Sequence, residues 1–121
     1  MTPRLVRACR KEDVDRTPAW LMRQAGRYLP EYRKVRETHS LLDICADAEL
    51  TSQVTLQPLE RFDLDAAIIF ADILLPLVPM GIDLDFVPGR GPVIRNPIRS
   101  PSDVAALAPF DPRDHLSPTL E

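Results

Sequence analysis

Cysteine, histidine and glycine are all scarce in this 121-residue sequence, at two, two and four residues. Cys9 and Cys45 lie far apart and form no C-x-x-C, so they read as ordinary thiols of a reducing compartment rather than a disulfide or a redox pair. His39 and His115 stand in polar surroundings with no Cys or carboxylate at ligand spacing, which argues against zinc. The few glycines make no P-loop. Gly89-Arg90-Gly91 lacks the third glycine and the strand-to-helix setting of a dinucleotide fingerprint, and neither G-x-S-x-G nor H-E-x-x-H occurs. No apolar run approaches the ~18 residues of a membrane span, and no apolar stretch follows Arg4, Arg7 and Arg10 as in a leader. The expected setting is therefore the cytoplasm, with no membrane partner. Internal repeats are absent.

Proline, by contrast, is abundant. Its thirteen copies predict many short elements joined by rigid turns. A composition 45% hydrophobic and 27% charged suits one soluble domain with a core. The net charge of −3 hides an asymmetry: residues 1–40 carry +5 and residues 41–121 carry −8. A basic N-terminal part favours an anionic ligand. Its cations do not form a stripe with interleaved aromatics, so nucleic acid is not expected.

The periodicity predicts a short opening helix near Leu5–Cys9, then a charged link to Thr17-Pro18. A helix with Pro30 in its first turn should cover residues 31–37. Ser40 with Asp43 resembles a capping box for a helix over residues 41–46. Asp47 is a good N-cap for the longest helix, residues 48–62, which Pro58 should kink. Residues 66–70, a continuous apolar run, read as a strand of a parallel sheet buried on both faces. Residues 73–80, broken by Pro76 and Pro79, read as a loop or one helical turn. Residues 83–87 and 92–95 read as a β-hairpin around Gly89-Arg90-Gly91. A short helix over residues 102–107 follows Ser100-Pro101, and Ser117-Pro118 reads as the start of another.

The densest chemistry lies in Met22 to Arg33. Arg23 and Arg27 bracket the small step Ala25-Gly26 and are flanked by Trp20 and Tyr28. A guanidinium stays charged and offers a planar fork that fits a carboxylate two bonds at a time, while glycine lets a ligand approach the backbone. Two readings stand here: an anion clamp, or a helix turn with two solvated arginines. Asp72 also has two. At the C-terminal end of the predicted strand, it is either an acceptor for N–H donors that stabilises positive charge, or an N-cap or ion-pair partner. Asp83 and Asp85 share one strand face without a third ligand, which favours a solvated hairpin over a metal site. Arg90, Arg95 and Arg99 read as surface charge or as a second basic patch.

With Arg23-Gln24-Ala25-Gly26-Arg27-Tyr28-Leu29-Pro30-Glu31-Tyr32 and Ile69-Phe70-Ala71-Asp72-Ile73-Leu74 both in view, the sequence strongly resembles the uroporphyrinogen decarboxylase family of haem and tetrapyrrole biosynthesis. The lead-in Thr17 to Met22, the step Leu56-Gln57-Pro58 and the turn Gly89-Arg90-Gly91-Pro92 extend the resemblance through nearly the whole chain. It implies an α/β fold, the N-terminal portion of a (β/α)₈ TIM-type barrel. Such a barrel needs about 250 residues, so residues 1–121 are expected to supply the opening helices, the first strand and a hairpin, and to lack the later site residues. The resemblance further implies a homodimer, no metal or organic cofactor, and decarboxylation of the acetate arms of uroporphyrinogen III to coproporphyrinogen III. By the same resemblance Arg23 and Arg27 clamp substrate carboxylates, aided by the backbone N–H groups of Gln24 and Ala25. Asp72 accepts from the pyrrole N–H groups, and Met22, Ile69, Ile73 and Leu74 line an apolar pocket. Two other readings differ in class: a non-catalytic tetrapyrrole-binding piece, and a zinc- and corrinoid-dependent methyltransferase of similar fold.

Overall fold

Proline and capping side chains set where the helices begin. The computed structural model describes residues 2–120. Helix α1 spans Arg4–Cys9, and α2 spans Pro30–Arg36 with Pro30 at the first position, where its missing N–H is no loss. Helix α3, Leu41–Cys45, opens on a reciprocal box: Ser40 Oγ accepts the Asp43 N–H at 3.0 Å and Asp43 Oδ2 accepts the Ser40 N–H at 2.7 Å. Helix α4, Ala48–Arg61, is capped by Asp47 Oδ1 on the Leu50 N–H at 2.9 Å. Pro58 lies inside α4 and offers no N–H to the Val54 carbonyl one turn back. A 3-10 turn covers Leu75–Leu77. The box recurs at α5, Pro101–Ala105, through Ser100 and Asp103. Asp111 caps α6, Pro112–His115, an element that the proline-dominated tail did not suggest, and α7 covers Ser117–Leu120.

The hairpin forms as its turn residues require. Strands β1, Leu84–Val87, and β2, Gly91–Ile94, pair antiparallel with Leu84 opposite Ile94 and Val87 opposite Gly91. The Arg90 N–H closes on the Val87 carbonyl at 3.1 Å, with Gly89 at φ +77° in the third position and Pro88 in the second. This is the chemistry of a type II turn.

The chain divides into two compact units: residues up to Thr38 together with Ser52–Phe70, and His39–Thr51 together with residues from Ala71 onward. In the first, Leu29, Tyr32, Val54 and Pro58 are buried with the polar residues Gln24, Thr55 and Gln57. The Tyr32 ring meets Phe70 at 5.5 Å between centroids, and Arg61 of α4 pairs with Glu31 of α2 at 2.6 Å. In the second, Ile44, Cys45, Ile82 and Leu84 are buried. Asn96 there accepts the Asp83 N–H at 2.7 Å and donates to the Gly81 carbonyl at 2.9 Å, tying the hairpin ends. Arg95, the residue after β2, takes the carboxylates of both Asp83 and Asp85, at 3.1 and 2.8 Å, which gives that acidic pair an ionic partner across the hairpin.

Residues 66–70, read from the sequence as a strand, carry no strand pairing among the described residues. A parallel ladder needs a second strand brought round by a long crossover. Side chains hold the segment instead: Gln24 Nε2 donates to the Ala66 carbonyl at 2.9 Å, and Thr55 Oγ1 accepts the Phe70 N–H at 2.9 Å.

Candidate active site

The stretch up to Leu29, which carries Arg23 and Arg27, is not helical; α2 begins at Pro30. It consists of successive turns, with the Gln24 N–H on the Leu21 carbonyl at 3.1 Å and the Leu29 N–H on the Gly26 carbonyl at 3.0 Å. Gly26 sits at φ +153°, where a side chain is strained, although a Cβ would meet nothing within 4 Å. The helix of the second reading is thereby corrected, while its two solvated arginines agree with the exposure of Arg23 and Arg27.

Most arginines of this chain are engaged. Arg4 binds both oxygens of Asp15 at 2.7 and 2.8 Å and also pairs with Asp65. Arg16 takes Asp63 and Asp65, while Arg33 Nη1 donates to the carbonyls of Arg27 and Tyr28 at 2.8 and 3.2 Å. Arg23 and Arg27 are exposed and neither guanidinium has a partner among the described residues, which is also true of Arg10, Arg90 and Arg99; Arg23 and Arg27 alone of these stand four residues apart on one stretch of turns. Two arginines on a pinned turn, with no internal carboxylate to neutralise them, are receptive to an external one.

Gln24 underlies the turn. It is 2% exposed; its Oε1 accepts the Leu21 N–H at 3.1 Å, its Nε2 reaches Ala66, and its carbonyl accepts the Tyr28 phenol. The sequence reading expected the Gln24 N–H as a carboxylate donor. That N–H is spent on Leu21, whereas the half-buried Ala25 has no partner for its N–H among the described residues.

Asp65 is a second anchor that the sequence reading missed. Its side chain is only 4% exposed, and it accepts the Ala19 N–H at 2.8 Å between Arg4 and Arg16. The Ala19 N–H first, and then the two arginines, hold its carboxyl below the ordinary value. The Arg4 hydrogen bonds draw Asp15 down from 3.8 to about 2. This network fixes the lead-in to the arginine turn. Nothing in local spacing signals it, since Arg4 and Asp65 stand 61 residues apart.

Of the remaining candidates, Met22 and Ile69 fall in the first unit at 78% and 55% exposure. Asp72, Ile73 and Leu74 fall in the second. Asp72 is half-buried. Its Oδ1 accepts the Leu74 N–H at 2.8 Å in an Asx turn ahead of Leu75–Leu77, whose N-cap is Leu74 and not Asp72, while Oδ2 has no partner among the described residues. Ile73 is 92% exposed and Leu74 half-buried. No group of three or more His, Cys, Asp or Glu with metal-ligand geometry exists among the described residues. No helix among them is long and apolar enough to cross a membrane.

The first unit thus carries the exposed pair Arg23 and Arg27, and the second carries Asp72 with one carboxylate oxygen unpartnered among the described residues. The family is settled by comparison. Residues 1–121 match the model of uroporphyrinogen decarboxylase (URO-D) from end to end, and the chain belongs to that family. It is 57% identical over 121 residues to a uroporphyrinogen decarboxylase of Chloroflexus aggregans, covering 100% of this chain and 34% of that protein. Against the protein of the same name from Roseiflexus sp. the identity is 52% over 118 residues, covering 98% and 34%. Against that of Streptomyces griseus it is 56% over 109 residues, covering 90% and 30%. The chain thus spans about a third of the length of these curated relatives.

Proposed function

We propose that residues 1–121 supply part of the substrate site of a cytoplasmic, homodimeric uroporphyrinogen decarboxylase built on a (β/α)₈ barrel. The observation that carries this reading is the pair Arg23 and Arg27, exposed and unpaired on a turn pinned by buried groups, in a chain 57% identical to a protein of that name. The substrate bears acetate and propionate carboxylates around four pyrrole N–H groups. Arginines suit its rim, and an acidic acceptor suits its centre.

Arg23 and Arg27, with the Ala25 N–H, bind carboxylates, and Asp72 accepts from the pyrrole N–H groups. One Asp72 oxygen already holds the turn at Leu74, leaving the other for the ligand. Met22, Ile69, Ile73 and Leu74 offer apolar surface to the macrocycle. Chemistry begins with protonation of a pyrrole carbon, which makes the ring a cation. The C–CO₂ bond of the acetate arm then breaks, and its electron pair flows into that cation. A proton added at the exocyclic carbon makes the methyl group, and loss of the first proton restores the pyrrole. Asp72 stabilises the cation through the N–H groups as a preorganised charge. Four rounds give coproporphyrinogen.

The test is Asp72→Asn in a protein of the relatives' full length, where turnover should fall about 10²-fold or more. An Asp72→Asn enzyme of near-parent activity refutes the role.

A further inference from the structure

Gln24 does more than sit between two functional arginines. Its side-chain amide is used at both ends, accepting from Leu21 and donating to Ala66, and its carbonyl takes the Tyr28 hydroxyl. Leu21 precedes Arg23 and Tyr28 follows Arg27, so one buried residue ties the chain on both sides of the pair and anchors it to the segment 66–70. A clamp made of long flexible side chains gains affinity when the backbone beneath it is fixed, because less freedom is lost on binding. We propose that Gln24 is a positioning residue: its side chain, not its backbone N–H, sets the base from which Arg23 and Arg27 reach a polycarboxylate. This rests on the reading of those arginines as carboxylate binders. Gln24 itself touches no ligand.

The polarity of the two bonds makes the role separable from simple space-filling. The position needs one acceptor, for Leu21, and one donor, for Ala66. An ionised glutamate supplies only the acceptor and opposes the Ala66 carbonyl, whereas a protonated one supplies both. Burial and that repulsion each favour the protonated form, so the donor returns in mild acid. Methionine matches the length and supplies neither.

Binding is read in a protein of the relatives' full length with uroporphyrin, an air-stable polycarboxylate probe, by isothermal titration calorimetry. Relative to the parent at the same pH, Gln24→Glu should raise Kd about tenfold near pH ~8 and return to within about twofold near pH ~5.5. Gln24→Met should raise it about tenfold at both. Hydrogen exchange supplies a readout that needs no ligand: the Leu21 amide stays protected in Gln24→Glu and exchanges faster in Gln24→Met. Parent-like affinity for both variants at both pH values, with Arg23→Ala and Arg27→Ala weakening binding, overturns the positioning role alone. Parent-like exchange of Leu21 in Gln24→Met also overturns it. Arginine variants that bind as the parent does overturn the clamp, and the positioning role with it.

Discussion

Removing the Thr55 hydroxyl should free the end of the segment that the missing ladder leaves to side chains. Thr55 is 6% exposed on α4, and its Oγ1 accepts the Phe70 N–H at 2.9 Å. Thr55→Val keeps the shape of the side chain and deletes the acceptor. A partly buried N–H then loses a hydrogen bond and gains nothing in exchange, a penalty of about 1–2 kcal/mol. At about 1.4 kcal/mol per factor of ten, the opening equilibrium at Phe70 rises about 5- to 30-fold. Native-state hydrogen exchange of the Phe70 amide measures this directly. Thr55→Ser is the control: it keeps the oxygen and loses only a methyl group, so it should destabilise the chain through packing while leaving Phe70 better protected than Val does. Equal Phe70 protection in parent, Ser and Val forms refutes the reasoning. It would mean that the segment is held by the Tyr32 contact and by Gln24 alone.

Acid should unfold the chain for a stated reason. Asp15 is held near 2 against an ordinary 3.8, with Asp65, Glu31, Asp103 and Asp111 also lowered, so the unfolded chain binds more protons than the folded one in this range. Their stabilisation is complete above the ordinary carboxylate values and disappears as pH falls through the folded ones, so circular dichroism should show a transition between about pH 4 and about pH 2. An acid midpoint unchanged in Asp65→Asn contradicts a contribution from Asp65. Gly26→Ala should cost about 1–3 kcal/mol in urea denaturation, all of it conformational, because φ is +153° and the space around a Cβ is open. Gln57 is 5% exposed with an Oε1 that no hydrogen-bond donor reaches among the described residues. Gln57→Met should therefore be neutral or stabilising by about 1 kcal/mol, read as a higher urea midpoint.

The elements that sequence determined unaided depend on neighbours within a few residues. Ser40 and Asp43, Asp47, Pro30, and Gly89-Arg90-Gly91 each act on backbone groups one turn away, so helix starts and the hairpin were legible in the sequence. Family membership was legible for a similar reason: the arginine stretch and the Asp72 stretch are contiguous words. Composition likewise located the excess of positive charge in residues 1–40.

Tertiary structure decided what depends on distant partners. Apolar content marked residues 66–70 as a strand, yet a ladder is a property of two segments, and no described segment pairs with this one. Spacing set Arg23 and Arg27 apart as a pair, but which arginines stay unpaired depends on where Asp15, Asp63 and Asp65 fall, up to 61 residues away. Gln24 was legible as part of a motif and not as a buried amide bonded at both ends, because its Ala66 partner lies 42 residues downstream. Local backbone chemistry travels with the sequence, whereas desolvation and charge pairing exist only once the chain has brought distant groups together.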